Sequence, residues 1–233
     1  MIMDGLKEEG AAGCIITLPD SICWLLNVRG SDIAYIPVAL SVMIASVQDE
    51  RLEWYIDDEK LPADVKAHLK GIVDFCDPAN LDQGLQNLAA VGKADEAPVL
   101  MDMQRSAVFY KDTLERAGAV VKDAIDPCID PRAQKSVSEM DAIRQAHIED
   151  GVAMVKFLRW LDENARGFTL DELKVADQLE AFRKQNANYK EPSFATISAF
   201  ADSAASPHYH ATPEKYSKID KDGLLLVDSG GQY

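Results

Sequence analysis

Apolar and polar positions fall into two regimes along the chain. In the first, short apolar runs alternate with helical stripes. A helix-like segment closes at Gly10, and Gly13-Cys14-Ile15-Ile16-Thr17-Leu18 follows as a predicted strand. Asp20 or Ser21 is placed to cap a short helix carrying Ile22, Trp24, Leu25 and Leu26, which gives way to the polar loop Asn27-Val28-Arg29-Gly30-Ser31-Asp32. Residues 39–47 and 51–56 read as a hairpin broken at Gln48-Asp49-Glu50. Helices are then predicted over 62–69, 78–90 and 104–117, alternating with strands over 72–75, 98–101 and 119–121. Strands separated by helices of this length indicate an α/β layer with several parallel neighbours. The proline-rich turn Asp126-Pro127-Cys128-Ile129-Asp130-Pro131 ends the run, and a domain boundary is expected just after it, between residues 1–132 and 133–233.

The second regime is dominated by long helices. Ser136-Val137-Ser138-Glu139 forms a capping box before a helix on which Ile143, His147, Gly151, Met154, Leu158, Leu161 and Ala165 step by three and four. That face is expected to be buried, which makes His147 a core histidine. Thr169-Leu170-Asp171-Glu172 reads as a second capping box, with Leu173, Ala176, Leu179 and Phe182 as the buried stripe of the next helix. A strand over 193–200 leads to the loop Pro207-His208-Tyr209-His210. The chain closes on Gly223-Leu224-Leu225-Leu226-Val227-Asp228-Ser229-Gly230-Gly231, which predicts a buried strand ending in a carboxylate and a turn.

Composition narrows the function classes. The 233 residues carry 24 Lys plus Arg against 39 Asp plus Glu, a formal charge of -15 that repels nucleic-acid backbones and anionic membranes. The longest apolar-rich stretch, 33–47, is broken by Pro37 and is too short to span a bilayer. Cys14, Cys23, Cys76 and Cys128 are widely spaced, form no CxxC pair and follow no secretory leader, so free thiols in the reducing cytoplasm are expected. The abrupt start and the stop five residues after Asp228 lead us to expect a middle piece of a longer protein.

Two residue types carry candidate chemistry. His208 is a loop histidine that no helical stripe explains, while His210, two residues on, points oppositely if the segment is extended. Asp228 admits three readings: an aspartic-protease-like carboxylate, which the helices upstream argue against; a hard metal ligand at a strand end; or an Asx-turn cap.

Five ordered motifs bear on that choice: Trp24-Leu25-Leu26-Asn27-Val28-Arg29-Gly30-Ser31-Asp32, Lys135-Ser136-Val137-Ser138-Glu139-Met140, Ser193-Phe194-Ala195-Thr196-Ile197-Ser198, Pro207-His208-Tyr209 and Leu226-Val227-Asp228-Ser229-Gly230-Gly231-Gln232-Tyr233. Together they resemble the Xaa-Pro aminopeptidases (aminopeptidase P) of the creatinase/methionine aminopeptidase superfamily, peptidase family M24. The resemblance implies a creatinase-N-terminal-like, non-catalytic α/β domain over 1–132 and the incomplete start of a pita-bread α+β catalytic domain over 133–233. It implies two divalent ions, Mn²⁺ first and Zn²⁺ or Co²⁺ otherwise, with Asp228 as the first of five ligands and the other four beyond Tyr233. By the same resemblance His208 is the catalytic histidine bordering the site. Arg29 and Asp32 fall in a motif of the non-catalytic domain and read as structural or inter-domain charges; His210 receives no role.

The implied reaction is metal-assisted removal of an N-terminal residue from peptides with proline second, by a cytoplasmic enzyme that is often a homodimer. The piece with this sequence is expected to be inactive by itself. An Xaa-Pro dipeptidase or creatinase-like amidohydrolase is the alternative within the superfamily, and a metal-free pita-bread protein-binding module the alternative outside enzymes.

Overall fold

The computed structural model describes residues 2–233, which divide into two compact units. The first comprises residues up to Ile33 together with Pro37–Lys135; the second comprises Ala34–Ile36 and Ser136–Tyr233.

The first unit runs α1 (Ile2–Glu8), β1 (Gly13–Ile16), α2 (Pro19–Leu26), β2 (Val42–Ser46), β3 (Arg51–Tyr55), α3 (Ala63–His68), β4 (Asp74–Cys76), α4 (Leu81–Ala94), β5 (Val99–Met101), α5 (Val108–Arg116), β6 (Val121–Asp123) and α6 (Ile129–Ala133). Its strands form one six-stranded sheet in the order β4-β3-β2-β1-β5-β6. The expected hairpin is β2 and β3, antiparallel with Ile44 opposite Glu53. Three pairs, β1 with β5, β5 with β6 and β3 with β4, are parallel. The α/β reading is therefore correct, on a mixed sheet.

Period-two alternation explains why both faces are covered. Cys14, Ile16, Met43, Ala45, Trp54, Ile56 and Leu100 face one core with Ile22 and Leu26 of α2. Their neighbours Ile15, Ile44, Tyr55, Val99 and Met101 face the other, against Leu85, Leu88 and Ala89 of α4 and Leu114 of α5. Helix α4 lies so close to the sheet that a Cβ at Gly84 would stand 1.8 Å from the Tyr55 hydroxyl.

Two helix starts differ from expectation. Helix α2 begins with Pro19 after Leu18, so Asp20 and Ser21 lie inside it rather than capping it; a proline there sacrifices no hydrogen bond, because the first turn has none to give. Helix α5 begins at Val108, not 104, because the buried Asp102 carboxylate accepts the amides of Gln104 and Arg105, each at 3.2 Å, and holds the chain in a turn.

The second unit contains α7 (Val137–Asn164), β7 (Leu170–Asp171), α8 (Glu172–Arg183), β8 (Glu191–Pro192), β9 (Ile197–Phe200), β10 (Lys218–Ile219), β11 (Leu225–Asp228) and β12 (Gly231–Gln232). Its strands pair only in twos: β7 with β10, β9 with β11, and β8 with β12, all antiparallel. Of the strand expected over 193–200 only Ile197–Phe200 forms, as β9; β8 lies just before that span. Phe157, Leu170, Val175, Leu179, Phe200 and Ile219 form the core.

Three expectations fail here. The capping box of α7 is present, with Ser136 and Glu139 bonded reciprocally. Its buried face, however, centres on Ala153 and Phe157, while Ile143, His147 and Leu158 are exposed. Ile148, Val152 and Val155 are exposed as well, so α7 carries apolar residues on several faces and their spacing alone did not single out the packed one. His147 is accordingly a surface histidine, with Nδ1 2.8 Å from the Ile143 carbonyl oxygen. The second cap is Asp171, whose carboxylate accepts the Lys174 amide at 2.8 Å; Thr169 lies before it and Glu172 is turned inward. Finally, β11 is not buried. It has one partner strand, its residues alternate between half-buried and exposed, and Leu224 just before it is 85% exposed.

Candidate active site

Asp228 ends β11 opposite Ile197 of β9. Its side chain is exposed, and among the described residues nothing forms a hydrogen bond or ion pair with it. The backbone then turns through Ser229 and Gly230 into β12, and Ser193 N–H donates to the Gly230 carbonyl at 3.0 Å. A Cβ at Gly230 would lie 2.1 Å from Ser193 Oγ, so a larger residue there would require that hydroxyl to move.

An ion pair between a buried arginine and a half-buried aspartate fastens this end of the chain. Arg183, the last residue of α8 and only 2% exposed, donates Nε to Asp150 Oδ1 at 2.7 Å and Nη2 to Oδ2 at 3.2 Å. Such a two-point pair fixes direction as well as distance. Tyr233 Oη donates to the same Asp150 oxygen at 2.6 Å. Burial works to raise the Asp150 pKa, but the hydrogen bonds from Arg183 and Tyr233 outweigh it and hold the carboxyl below its ordinary range. Burial, followed by the bond to Asp150, pushes the Tyr233 phenol up. Beside them a cavity of about 380 Å³ is lined by Ile143, His147, Asp150, Ser193, Gly230 and Tyr233.

His208 lies in the long connection from β9 to β10, just after a 3-10 turn over Ala201–Ala205. It is exposed and adopts φ +56°, a left-handed conformation that only a few per cent of non-glycine residues take, asparagine, aspartate and histidine most often. Its neighbour Tyr209 points the other way and is buried. Tyr209 Oη donates at 2.6 Å to Oε2 of Glu172, which is fully buried on the first turn of α8. Glu172 also accepts the amide of Ser217 on Oε2 at 2.6 Å and the amide of Phe200 on Oε1 at 2.7 Å. One carboxylate thus holds the beginning, the middle and the end of the His208 connection. The pattern Thr169-Leu170-Asp171-Glu172 suggests a capping role for Glu172, whereas its place in line with Val175, Leu179 and Arg183, the stripe that is buried, is the signal of its burial.

His210 is exposed. In the first unit Asp32 accepts the Leu40 amide at 2.7 Å and pairs with Lys60 at 2.6 Å, which gives it a structural part in closing its own loop. As a metal ligand Asp228 fits in kind, being a hard, accessible oxygen donor. In number the fit fails: no group of three or more His, Cys, Asp or Glu side chains able to hold a metal converges among the described residues. None of their helices is long and apolar enough to cross a membrane.

Residues 1–139 match the creatinase/prolidase N-terminal domain, and residues 141–233 match metallopeptidase family M24. A probable Xaa-Pro aminopeptidase P of Paracoccidioides brasiliensis is 33% identical over 237 residues, covering 98% of this chain and 38% of that protein. The crystal structure of an X-prolyl aminopeptidase from Caenorhabditis elegans, described as a cytosolic enzyme with a di-nuclear active site, superimposes with a TM-score of 0.86 at 28% identity, over 99% of this chain and 38% of that one. An Xaa-Pro dipeptidase from Bacillus anthracis, at 19% identity and TM-score 0.63 over 99% of this chain and 59% of its own, shares the fold. The chain spans somewhat over a third of the length of the aminopeptidase relatives it matches. It belongs to the creatinase/prolidase family of M24 metallopeptidases, joining that family's N-terminal domain to a segment of its peptidase domain.

Proposed function

We propose that this chain is part of a metal-dependent aminopeptidase that removes the N-terminal residue from peptides with proline in second position. The M24 match over 141–233 carries this reading, and the aminopeptidase P relatives narrow it. We take residues 1–132 as the non-catalytic domain and 133–233 as the first part of the peptidase domain. The description of the Caenorhabditis elegans relative as cytosolic supports a cytoplasmic setting.

In this reading Asp228 is one oxygen ligand of a dinuclear centre, of Mn²⁺ by preference. Such a centre, when bound, supplies an activated water for attack on a peptide carbonyl. Among the described residues no side chain bonds to His208, which leaves its exposed imidazole open to a substrate. Its imidazole would donate a hydrogen bond where charge develops near the scissile bond. One carboxylate binds such ions weakly, so the 233 residues are expected to show neither tight Mn²⁺ binding nor hydrolysis.

The test uses the full-length protein and an Xaa-Pro peptide with Mn²⁺. Asp228→Asn is expected to abolish turnover, and His208→Ala to lower kcat by about 10²-fold. Full turnover in both variants would sink the assignment of these residues, and Mn²⁺-dependent hydrolysis by residues 1–233 alone would show that the site is complete without further donors.

A further inference from the structure

We propose that Glu172 is the positioning residue of the His208 connection: its buried carboxylate sets the left-handed turn on which His208 is presented. The proposal rests on His208 belonging to the site, and deepens that reading.

The geometry is asymmetric in a telling way. Seventeen residues, 201–217, separate Phe200 at the end of β9 from β10, and the only regular structure among them is the short 3-10 turn. A segment of this kind has few backbone bonds of its own. Tyr209 N–H reaches the Ser206 carbonyl at 3.3 Å, Thr212 and Lys215 close a small turn, and Ser203 and Ser217 share a hydroxyl contact at 2.9 Å. Against this loose background three donors converge on Glu172 within 2.7 Å, from Phe200, Tyr209 and Ser217. Burying a carboxylate is costly unless its oxygens are satisfied, so these donors hold Glu172 inside as firmly as it holds them.

The link to His208 is one peptide long. With Tyr209 drawn inward to Glu172, its neighbour on the chain is directed out to solvent, and the φ of +56° at His208 is the backbone form this reversal takes. A non-glycine residue in that conformation persists only where its surroundings over-determine it. Ala201, also at positive φ (50°), stands next to Phe200 at the other anchored point. Strained residues therefore flank two of the three bonds to Glu172, whereas an ordinary buried acid in a helix would leave its neighbours relaxed.

Chemistry predicts different outcomes for three variants. Glu172→Ala removes all three acceptor contacts. Glu172→Gln keeps the size, but in either orientation of its amide one backbone N–H, of Phe200 or of Ser217, faces an NH₂ instead of an oxygen. Tyr209→Phe leaves both backbone bonds and releases only the middle of the connection.

The readout is residue-resolved hydrogen exchange on the 233-residue chain, with the NMR signals of labelled His208. Glu172→Ala should speed exchange at both the Phe200 and Ser217 amides by about tenfold or more, and Glu172→Gln at one of them. Tyr209→Phe should leave both amides protected while the His208 signals move and broaden. In all three the amides of Ala153 and Phe157 on α7 should keep their protection. The proposal is overturned if His208 signals are unchanged in Tyr209→Phe and Glu172→Gln, or if protection falls equally throughout the second unit. Should Glu172→Ala fail to fold, the other two variants still decide. The measurement reads geometry alone, so it stands whether or not His208→Ala lowers turnover; that separate assay judges the catalytic reading.

Discussion

Helices α4 and α8 do the same job in the two units, each laying one stripe against strands, yet they do it with different chemistry. The stripe of α4 is Leu85, Leu88 and Ala89, with Gly84 allowing close approach to the sheet. The stripe of α8 begins and ends in charge: Glu172, Val175, Leu179, Arg183. In the first unit the sheet is continuous, so its backbone bonds close among themselves and the helices need only supply apolar cover. In the second unit the strands pair in twos, and the chain between them needs acceptors and donors from elsewhere. Glu172 and Arg183 provide them, one for the His208 connection and the other, through Asp150, for the turn after Asp228. A scaffold can rely on non-directional burial; segments that must present side chains at set angles rely on directional bonds.

The largest effect that could break this contrast lies in the first unit. Trp54 is 1% exposed between the sheet and its cover, beside Phe75 at 6.1 Å between ring centres. Trp54→Ala should cost about 3–5 kcal/mol in denaturant unfolding followed by exchange at β2 and β3. A cost below about 1 kcal/mol would mean that apolar packing is not what holds this sheet.

Next in size is Asp150→Ala, which strands a buried guanidinium and should cost about 3 kcal/mol in the second unit. The pH dependence sharpens it. Asp150 titrates below its unfolded value, so its contribution is complete above about pH 4 and is lost as pH falls through the depressed value. Tyr233 titrates above its unfolded value, so its contribution is complete below about pH 10 and is lost as pH rises through the raised value. Tyr233→Phe should therefore lessen the alkaline loss, to which the raised phenols of Tyr189 and Tyr209 also contribute, and leave the acid one. Loss of both limbs together would show that the tyrosine, not the arginine, keeps Asp150 ionised.

The same contrast decides what was legible in the sequence. In the first unit the short apolar runs around Ile15, Ile44 and Val99, separated by helical stripes, give the strands and the α/β layer, while the two faces emerge only from the fold. On α7 and α8 the pattern misleads. Apolar residues on several faces of α7 drew the buried stripe through His147 and Leu158 instead of Ala153 and Phe157, because an alanine at a close helix contact carries little hydrophobic signal. Glu172 was read as a cap because burial of an acid is explained only by Phe200, Tyr209 and Ser217, which lie 28, 37 and 45 residues on. Asp228 and His208 stand as candidates for chemistry through motif order alone. Leu224 to Val227 looked buried because four apolar residues in a row do not say how many strands flank them.

The smallest effect tests whether directional bonds in the second unit act locally when they lie far from the buried residues of their helix. Ser136 Oγ accepts the Glu139 amide at 3.2 Å, and Glu139 accepts the Ser136 amide at 2.8 Å. The first buried residue of α7 is Ala153, more than four turns further on, so this cap lies far from the buried part of its own helix. Ser136→Ala should cost about 1 kcal/mol, and the loss should be confined to the first turns of α7. Exchange at the amides of Glu139 and Met140 should quicken, while those at Ala153 and Phe157 stay as they are. A cap is worth no more than the segment it orders, whereas Glu172 orders a segment many residues away. If Ser136→Ala instead loosened Phe157, the early turns of α7 would be coupled to the core, and the distinction between a local cap and a long-range anchor would fail.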